Sequence, residues 1–389
     1  MSLPIRTERP TLVFAIFRND PPGQMTGGTR SNLEIVSRIQ QYRPVVITNM
    51  NDDFTRIARS VGATVYLTAI GDPGRGFKAN SFAQRLGNIW DVLRINLVVA
   101  RIARRERAWA VQVDEVQAYL SFIGARLAGS RLLIYVRNGL PDRPLRARYR
   151  IPMLCAANII CLSREMASML AGRLPPRFQH RIRQHYNAVS LESDSSVPAG
   201  WSRNSFRQSV GWPSNSVVVL VVGFVDARKR QSEFLAALAN VPNLQIHVAI
   251  VGPAKDEMEW AKCHDLVRQH GLPVSFHGYQ AEMSPWYRAA EIVALPSSAE
   301  GVPRAILEGA GAGLPTVAFD IPGCREAIIH GETGLLASSM PLLIEAISRL
   351  ASSPDLRQKF GEAGRNHILN SFEARRNVAR LEDLYRELT

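Results

Sequence analysis

The chain has 389 residues, 46% hydrophobic and 21% charged, a balance that excludes a disordered, collagen-like or coiled-coil protein and predicts about two or three domains. Forty-seven basic residues against 34 acidic ones give a net charge of +13. This excess favours an anionic partner such as a phosphorylated substrate, a nucleic acid or an acidic membrane surface.

Short apolar runs alternate with amphipathic helical patterns through the first half of the chain. Such alternation predicts a parallel, doubly wound sheet. The predicted strands are 11–17, 44–48, 64–68, 109–113, 131–136 and 158–163, and the predicted helices lie near 29–40, 52–60, 80–104 and 116–128.

The periodicity lapses near 187–215, where serine, proline and glycine predict an interdomain linker. It then resumes with strands at 216–225, 244–252, 274–278, 292–296 and 316–319, and with helices near 230–239, 256–270, 283–290, 303–312, 341–352, 355–369 and 373–387. We therefore expect an N-terminal Rossmann-like domain over 1–195, a linker over 196–215, a C-terminal Rossmann-like domain over 216–370 and a last helix over 371–389.

Targeting and metal-site patterns are lacking in the sequence. The first apolar run, Leu12 to Phe17, is too short for a signal peptide, and no run approaches the ~20 apolar residues that span a bilayer. The four cysteines have no metal-site spacing and are expected to be free thiols. We expect a cytoplasmic protein, with peripheral contact at the inner face of the membrane as an open alternative.

The segment 294–336 contains the pattern with the most chemical information. A buried strand ends at Pro296, and Glu300 and Gly301 follow in a loop. A helix is predicted from about Val302, and its free N–H groups and dipole form an anion site. A carboxylate in such a helix is a natural acceptor for paired sugar hydroxyls.

This segment resembles the signature of retaining glycosyltransferases of family 4, also called glycosyl transferases of group 1, which have the GT-B architecture. The matching features are the E-G-V-P run at 300–303, the seven-residue gap between Glu300 and Glu308, and GETGLL at 331–336. The resemblance implies two Rossmann-like domains facing across a cleft, with the last helix crossing back to the first domain. It is weaker in the first half, where it includes GGT at 27–29, NIICLS at 158–163 and Asn187.

The resemblance also implies roles for the residues of the second half. Glu308 would bind the nucleotide ribose and Glu300 would lie near the donor sugar. Tyr279 would belong to the nucleobase pocket. The backbone after the first glutamate would hold the donor diphosphate, around Gly301, Val302 and Pro303.

A second donor-phosphate element is VVGFVDARKRQ, 221–231, in which a strand runs into Gly223. It resembles the family's G-R-x4-K element, so Lys229 would be the phosphate lysine. Phe224 stands where that pattern has arginine. Arg228 is a candidate replacement for the missing charge, or alternatively a solvated side chain.

Further departures and matches lie upstream. Where the family often has a histidine that contacts the donor, LLIYVRN places Arg137 or Asn138. An arginine there is able to bind a phosphate oxygen or an acidic acceptor. Gly27 and Gly28 would form a backbone loop beside the diphosphate and acceptor, or alternatively an ordinary turn before a helix.

Three arginine clusters in the first half suggest docking on an anionic membrane, with scattered surface charge as the alternative. Nucleic acid is not expected, since no recognition module is visible. The clusters are Arg101, Arg104, Arg105 and Arg107; Arg143, Arg146, Arg148 and Arg150; and Arg173, Arg177, Arg181 and Arg183.

The expected function is transfer of a sugar from a nucleotide-sugar donor to a sugar or lipid-linked sugar acceptor, with retention, in polysaccharide or glycoconjugate synthesis. Glu300, Lys229 and Arg137 are the predicted catalytic residues. No metal and no cofactor beyond the donor co-substrate are expected. Two alternatives remain: a nucleotide-sugar epimerase of the same architecture, and a non-catalytic binding subunit, which the Phe224 and Arg137 departures leave open.

Overall fold

A computed structural model describes residues 9–18, 20–69, 82–114, 119–137, 145–190, 200–241 and 244–388. The chain divides into two compact units. The first comprises the chain up to Ala188 together with the segment from Ala374 onwards, and the second is Val189–Glu373. The last helix therefore belongs to the first unit, as the resemblance implied.

The first unit contains a parallel sheet of seven strands in the order β3-β2-β1-β4-β5-β6-β7. Its central strands are continuous apolar runs because helices cover both faces of such a sheet. The strands are β1 (Thr11–Ile16), β2 (Arg43–Thr48), β3 (Thr64–Leu67), β4 (Ala108–Asp114), β5 (Arg131–Val136), β6 (Asn158–Cys161) and β7 (Ile182–Gln184).

The described helices of this unit pack their apolar faces on that sheet or on one another. They are α1 (Gly27–Arg38), α2 (Asp53–Ser60), α3 (Phe82–Arg105), α4 (Phe122–Leu127), α5 (Ala147–Cys155), α6 (Arg164–Ala171), α7 (Pro176–Gln179) and, from the end of the chain, α16 (Ala374–Arg386).

The second unit contains a parallel six-stranded sheet in the order β10-β9-β8-β11-β12-β13. The strands are β8 (Val217–Val222), β9 (Ile246–Val251), β10 (Val274–Phe276), β11 (Ile292–Leu295), β12 (Thr316–Phe319) and β13 (Gly334–Ala337). The helices around it are α8 (Arg203–Ser209), α9 (Gln231–Leu238), α10 (Glu257–His270), α11 (Ser284–Ala289), α12 (Arg304–Gly311), α13 (Pro322–Ala327), α14 (Met340–Ala351) and α15 (Pro354–Ser371).

Part of the predicted linker 196–215 is structured. Helix α8 lies within that range, while 196–199 lie outside the described residues. Ser202 caps the helix, and the buried Arg207 guanidinium donates to the Ala289 carbonyl oxygen at 2.8 Å and pairs with Glu291 at 2.5 Å. These contacts with distant residues explain why local composition alone did not predict the helix.

Candidate functional site

The order in which the chain adds strands to the second sheet reverses between its two central strands, β8 and β11. From β8 the chain goes to β9 and β10 on one side, and from β11 to β12 and β13 on the other. Ligands of open α/β sheets bind outside the carboxyl ends of the strands at such a switch point. The segments that follow β8 and β11 carry the predicted residues Gly223 to Lys229 and Glu300 to Pro303.

Two cations converge on one carboxylate at this point. The Lys229 ammonium and the Arg228 guanidinium each lie 2.8 Å from Oε1 of Glu300. The Lys229 and Glu300 side chains are largely buried, at 10% and 12% exposure, whereas that of Arg228 is 43% exposed. The sequence patterns around 221–231 and 300–308 therefore meet in space at a site with two positive charges and one negative charge.

Glycines make room for this cluster. Gly223 has φ +139°, and a Cβ there would lie 2.9 Å from Cε of Lys229. A Cβ at Gly252, which has φ +151°, would collide with the Gly223 carbonyl group. A side chain at Gly223 would therefore displace the lysine from Glu300 as well as strain the backbone.

The charges around Glu300 decide its ionisation. Burial alone would raise the pKa of Glu300, but the Lys229 ammonium and then the Arg228 guanidinium outweigh it and hold this pKa below its ordinary value. Glu300 is therefore a carboxylate at neutral pH, so the cluster carries a formal net charge of +1. A ligand phosphate is able to replace this carboxylate as the partner of either cation.

The loop between Glu300 and α12 approaches its neighbours closely. A Cβ at Gly323, in α13, would collide with the carbonyl oxygen of Gly301. Helix α12 begins at Arg304 with Pro303 as its N-cap residue, so the expected start at Val302 was two residues early. Proline is extended here, at φ −74° and ψ 116°, which ends the loop before the first helical turn.

Glu308 lies one turn inside α12 and already has partners on both carboxylate oxygens. Arg304 contacts Oε1 at 2.8 Å, and the Tyr287 hydroxyl donates to Oε2 at 3.1 Å. Its side chain is 17% exposed. Tyr279 follows β10 at the edge of the sheet and is half-buried.

In the first unit, the predicted glycine pair lies inside a helix. Gly27 and Gly28 are the first two residues of α1, two residues earlier than the expected start at Thr29, and Thr26 is the N-cap. Their N–H groups belong to the first turn, which has no intrahelical carbonyl partners. The expected loop is therefore a helix N-terminus, with the electrostatic preference for anions that this implies.

Asp20 beside this terminus was not among the predicted site residues. Its Oδ2 accepts a hydrogen bond from the Thr29 hydroxyl at 2.5 Å and lies 3.2 Å from Nη1 of Arg18. Arg18 in turn lies 2.8 Å from Asp52. Its position in the sequence could have identified it, because Asp20 comes soon after the end of β1, beside the β1–β4 switch point of the first sheet.

Arg137 lies in a buried polar network of the first unit. Its Nε is 3.3 Å from Asp114, its Nη1 is 2.9 Å from Asn187 Oδ1, and its Nη2 is 2.5 Å from Asn32 Oδ1. The guanidinium also lies over the Tyr135 ring at 4.1 Å. The other candidate for this position, Asn138, lies outside the described residues.

The described residues contain no group of three or more histidine, cysteine, aspartate or glutamate side chains arranged to hold a metal ion. Among the described helices, none is both long enough and apolar enough to cross a membrane.

Comparison with known proteins finds similar sequences for the segment that contains Lys229 and Glu300. Residues 202–367 match the family model described as Glycosyl transferases group 1. The D-inositol 3-phosphate glycosyltransferase of Kribbella flavida is 29% identical over 192 residues, covering 45% of this chain and 44% of that protein. The chain thus aligns with about half the length of the curated relatives it matches. The resemblance to glycosyl transferases of group 1 is confirmed over the second unit.

Solved structures show the same fold over nearly the whole chain. HepE of Anabaena, crystallised with UDP, superposes with a TM-score of 0.78 at 19% identity, covering 97% of this chain and 100% of that one. Sucrose-phosphate synthase of Thermosynechococcus elongatus gives a TM-score of 0.77 at 17% identity, covering 98% and 99%. The predicted fold class, two Rossmann-like βα domains of the GT-B type, is confirmed.

Proposed function

We propose that the protein is a retaining glycosyltransferase of family 4 that moves a sugar from a nucleotide-sugar donor to an acceptor hydroxyl. The observation that carries this proposal is the convergence of Lys229 and Arg228 on Glu300 at the switch point of the second sheet. The cluster lies inside the segment 202–367 that matches glycosyl transferases of group 1.

The proposed role of Lys229 follows from the charge that develops during transfer. As the bond from the sugar to the diphosphate breaks, negative charge builds on the leaving oxygen. A preorganised ammonium in a partly buried site stabilises that charge at little reorganisation cost. Lys229 would exchange its present partner, Glu300, for a phosphate oxygen, and Arg228 would supply the charge that Phe224 lacks.

Glu300 would then be released to face the donor sugar, where a carboxylate accepts hydrogen bonds from sugar hydroxyls. Glu308 would accept hydrogen bonds from the ribose hydroxyls. Its ion pair with Arg304, four residues earlier on the same helix, holds the side chain in one orientation. Gly301, Val302 and Pro303 would border the diphosphate, Tyr279 the nucleobase, and Gly27 and Gly28 the diphosphate and acceptor.

We propose a reaction without a metal ion, since basic side chains and a helix terminus are able to provide the charge stabilisation that a cation provides elsewhere. UDP is the first nucleotide to test, because HepE was crystallised with UDP and with UDP-glucose. The proposed acceptor is a sugar or a lipid-linked sugar of polysaccharide or glycoconjugate synthesis.

A donor screen followed by product analysis tests the proposal. UDP, GDP, ADP and dTDP are titrated in calorimetry, and the sugar donors of the nucleotide that binds are incubated with and without sugar acceptors. Transfer with an unchanged anomeric configuration, insensitive to chelator, is expected. Release of an altered nucleotide sugar without acceptor would indicate an epimerase. Binding with neither transfer nor hydrolysis would indicate a non-catalytic subunit.

A further inference from the structure

Helix α3 presents large apolar side chains to solvent although its opposite face is buried in the core of the first unit. Trp90, Leu93 and Leu97 are 62%, 50% and 66% exposed. Their spacing of three and four residues places them on one face of the helix. Ile95 and Val99, on the other face, are fully buried. The described part of the helix therefore has a second apolar face that is open to solvent.

Helix α4 extends this open face. The backbone N–H of Gly124 donates to Oδ1 of Asn96 at 2.7 Å, and a Cβ at Gly124 would collide with the backbone of Asn96, so the two helices approach closely. Nη2 of Arg104 reaches the carbonyl oxygen of Leu127 at 2.6 Å. Ile123 and Leu127, one turn apart, are 46% and 53% exposed. We call these five residues the apolar patch: Trp90, Leu93, Leu97, Ile123 and Leu127.

Positive charge surrounds the apolar patch. Arg94 and Arg101 each lie four residues after a patch residue of α3, and Arg126 lies within α4; all three are exposed. Asp91 is the single acidic residue in the sequences of the two helices. An apolar face that includes tryptophan and is bordered by arginines is the composition of helices that lie in the headgroup region of a bilayer.

We propose that the apolar patch and its arginines dock the first unit on a membrane surface that contains anionic lipids. The patch side chains would enter the boundary between headgroups and acyl chains, and the arginines would contact lipid phosphates. A second copy of the chain is a poorer occupant, because a two-fold contact through this surface would bring arginines against arginines. The inference does not depend on the proposed sugar transfer.

Vesicle sedimentation tests the apolar part of the surface. The full chain is expected to sediment with vesicles of phosphatidylcholine and phosphatidylglycerol at low salt, less so as salt rises, and little with phosphatidylcholine alone. Replacing Trp90, Leu93 and Leu97 together by glutamine should weaken binding by at least ~10-fold. The matched control replaces Met258 and Leu342, exposed apolar residues of the second unit, by glutamine and should bind as the wild type does.

A second pair of variants tests the charge. Removal of one basic residue near an anionic surface weakens binding by about fivefold, so Arg94→Gln, Arg101→Gln and Arg126→Gln together should cost on the order of 100-fold. The control removes the same charge from the second unit, through Lys262→Gln, Arg349→Gln and Lys359→Gln, all at exposed positions. Its effect should be much smaller.

Three results would overturn the proposal. The first is a wild-type protein that stays in the supernatant at low salt. The second is that neither the apolar nor the arginine variant loses more binding than its control. The third is a dimer in sedimentation equilibrium that dissociates when Trp90, Leu93 and Leu97 are replaced, which would assign the patch to a second copy. All substituted side chains are exposed, and unchanged thermal unfolding confirms that each variant is folded.

Discussion

Each unit places an arginine or lysine against a carboxylate near the carboxyl ends of its sheet, but the two clusters differ in how completely they are closed. In the first unit, Arg137 and Asp114 are 3% and 0% exposed, and two neighbouring side-chain amides accept further hydrogen bonds from the guanidinium. In the second, Arg228 and Lys229 share one oxygen of Glu300, and Arg228 is 43% exposed. The first cluster is enclosed by protein, whereas the second keeps one of its two cations open to solvent.

Arg137→Met tests the enclosed cluster of the first unit and is expected to have the largest effect of the variants compared here. The substitution leaves the Asp114 carboxylate buried without its charge partner, so the free energy of unfolding should fall by about 3–5 kcal/mol. Urea unfolding of the variant and the wild type measures the loss. Arg101→Met, at an exposed position, should cost less than about 0.5 kcal/mol.

The double variant Arg137→Met with Asp114→Leu sharpens that result. Because an apolar pair leaves no charge buried, it should recover part of the lost stability. A single variant that unfolds like the wild type would show that the network is not structural. Arg137 would then be free for the catalytic role that the sequence predicts.

Lys229→Ala, in the second unit, is expected to reduce activity more than stability. The loss of one preorganised charge should lower kcat/KM by roughly 10²–10³. The stability loss should be smaller than that of Arg137→Met, because Arg228 still accompanies Glu300. Initial rates on the donor that the screen identifies give the measurement, with Lys262→Ala on α10 as the control. Activity within about threefold of the wild type would assign the phosphate contact to Arg228 or Arg230 instead.

The sequence predicted eleven of the thirteen described strands, because an apolar run marks each of them, but it did not predict β7 (Ile182–Gln184) or β13 (Gly334–Ala337). Val217–Val222 is apolar at every position, as a strand covered on both faces must be. The resemblance implied that Lys229 and Glu300 both lie at the donor site, and their side chains are 2.8 Å apart in the structure. Helix starts were displaced by two residues at Gly27 and Arg304, where the cap residue and not the apolar pattern sets the boundary.

The contacts of Arg137 could not be predicted from the sequence around it. Its partners Asn187 and Asn32 are 50 and 105 residues away in sequence. No spacing rule connects positions that far apart, so the sequence predicted a catalytic role for Arg137 without predicting its partners in the folded chain. The apolar patch was missed for a related reason, because exposure of Trp90 depends on which face of α3 the sheet covers.

Glu308→Ala is expected to have a smaller effect, and it tests binding of the nucleotide part of the donor rather than of the sugar. If both carboxylate oxygens accept ribose hydroxyls, affinity for the free nucleoside diphosphate should fall by about 1.5–3 kcal/mol, as for a hydrogen bond to a charged group. Calorimetry with the diphosphate alone measures it, and Glu345→Ala on α14 serves as the control. Unchanged affinity would leave Glu308 as the partner of Arg304 and Tyr287 only.

The smallest predicted effect concerns acid stability of the second unit. Nε2 of His277 accepts a hydrogen bond from the Trp212 indole N–H at 3.0 Å and lies 2.7 Å from the Ser275 hydroxyl, which also contacts His247. A proton on that nitrogen would abolish the tryptophan bond. Burial, with a smaller contribution from His247, lowers the pKa of His277 to about 4.

The unfolded chain, with a histidine pKa of about 6.5, therefore binds this proton before the folded chain does. Above about pH 6.5 the histidine is neutral in both states and does not lower the free energy of unfolding. This free energy falls as the pH drops from about 6.5 towards 4. Allowing for solvent screening of a half-buried ring, the loss should be about 1–2 kcal/mol. Urea unfolding at pH 7.5 and pH 5 should show a shallower dependence for His277→Gln than for the wild type, and no change for the exposed His270→Gln. Equal slopes in all three proteins would place the acid sensitivity elsewhere, with the buried His185 of the first unit, whose pKa burial also lowers to about 4, as the next position to replace.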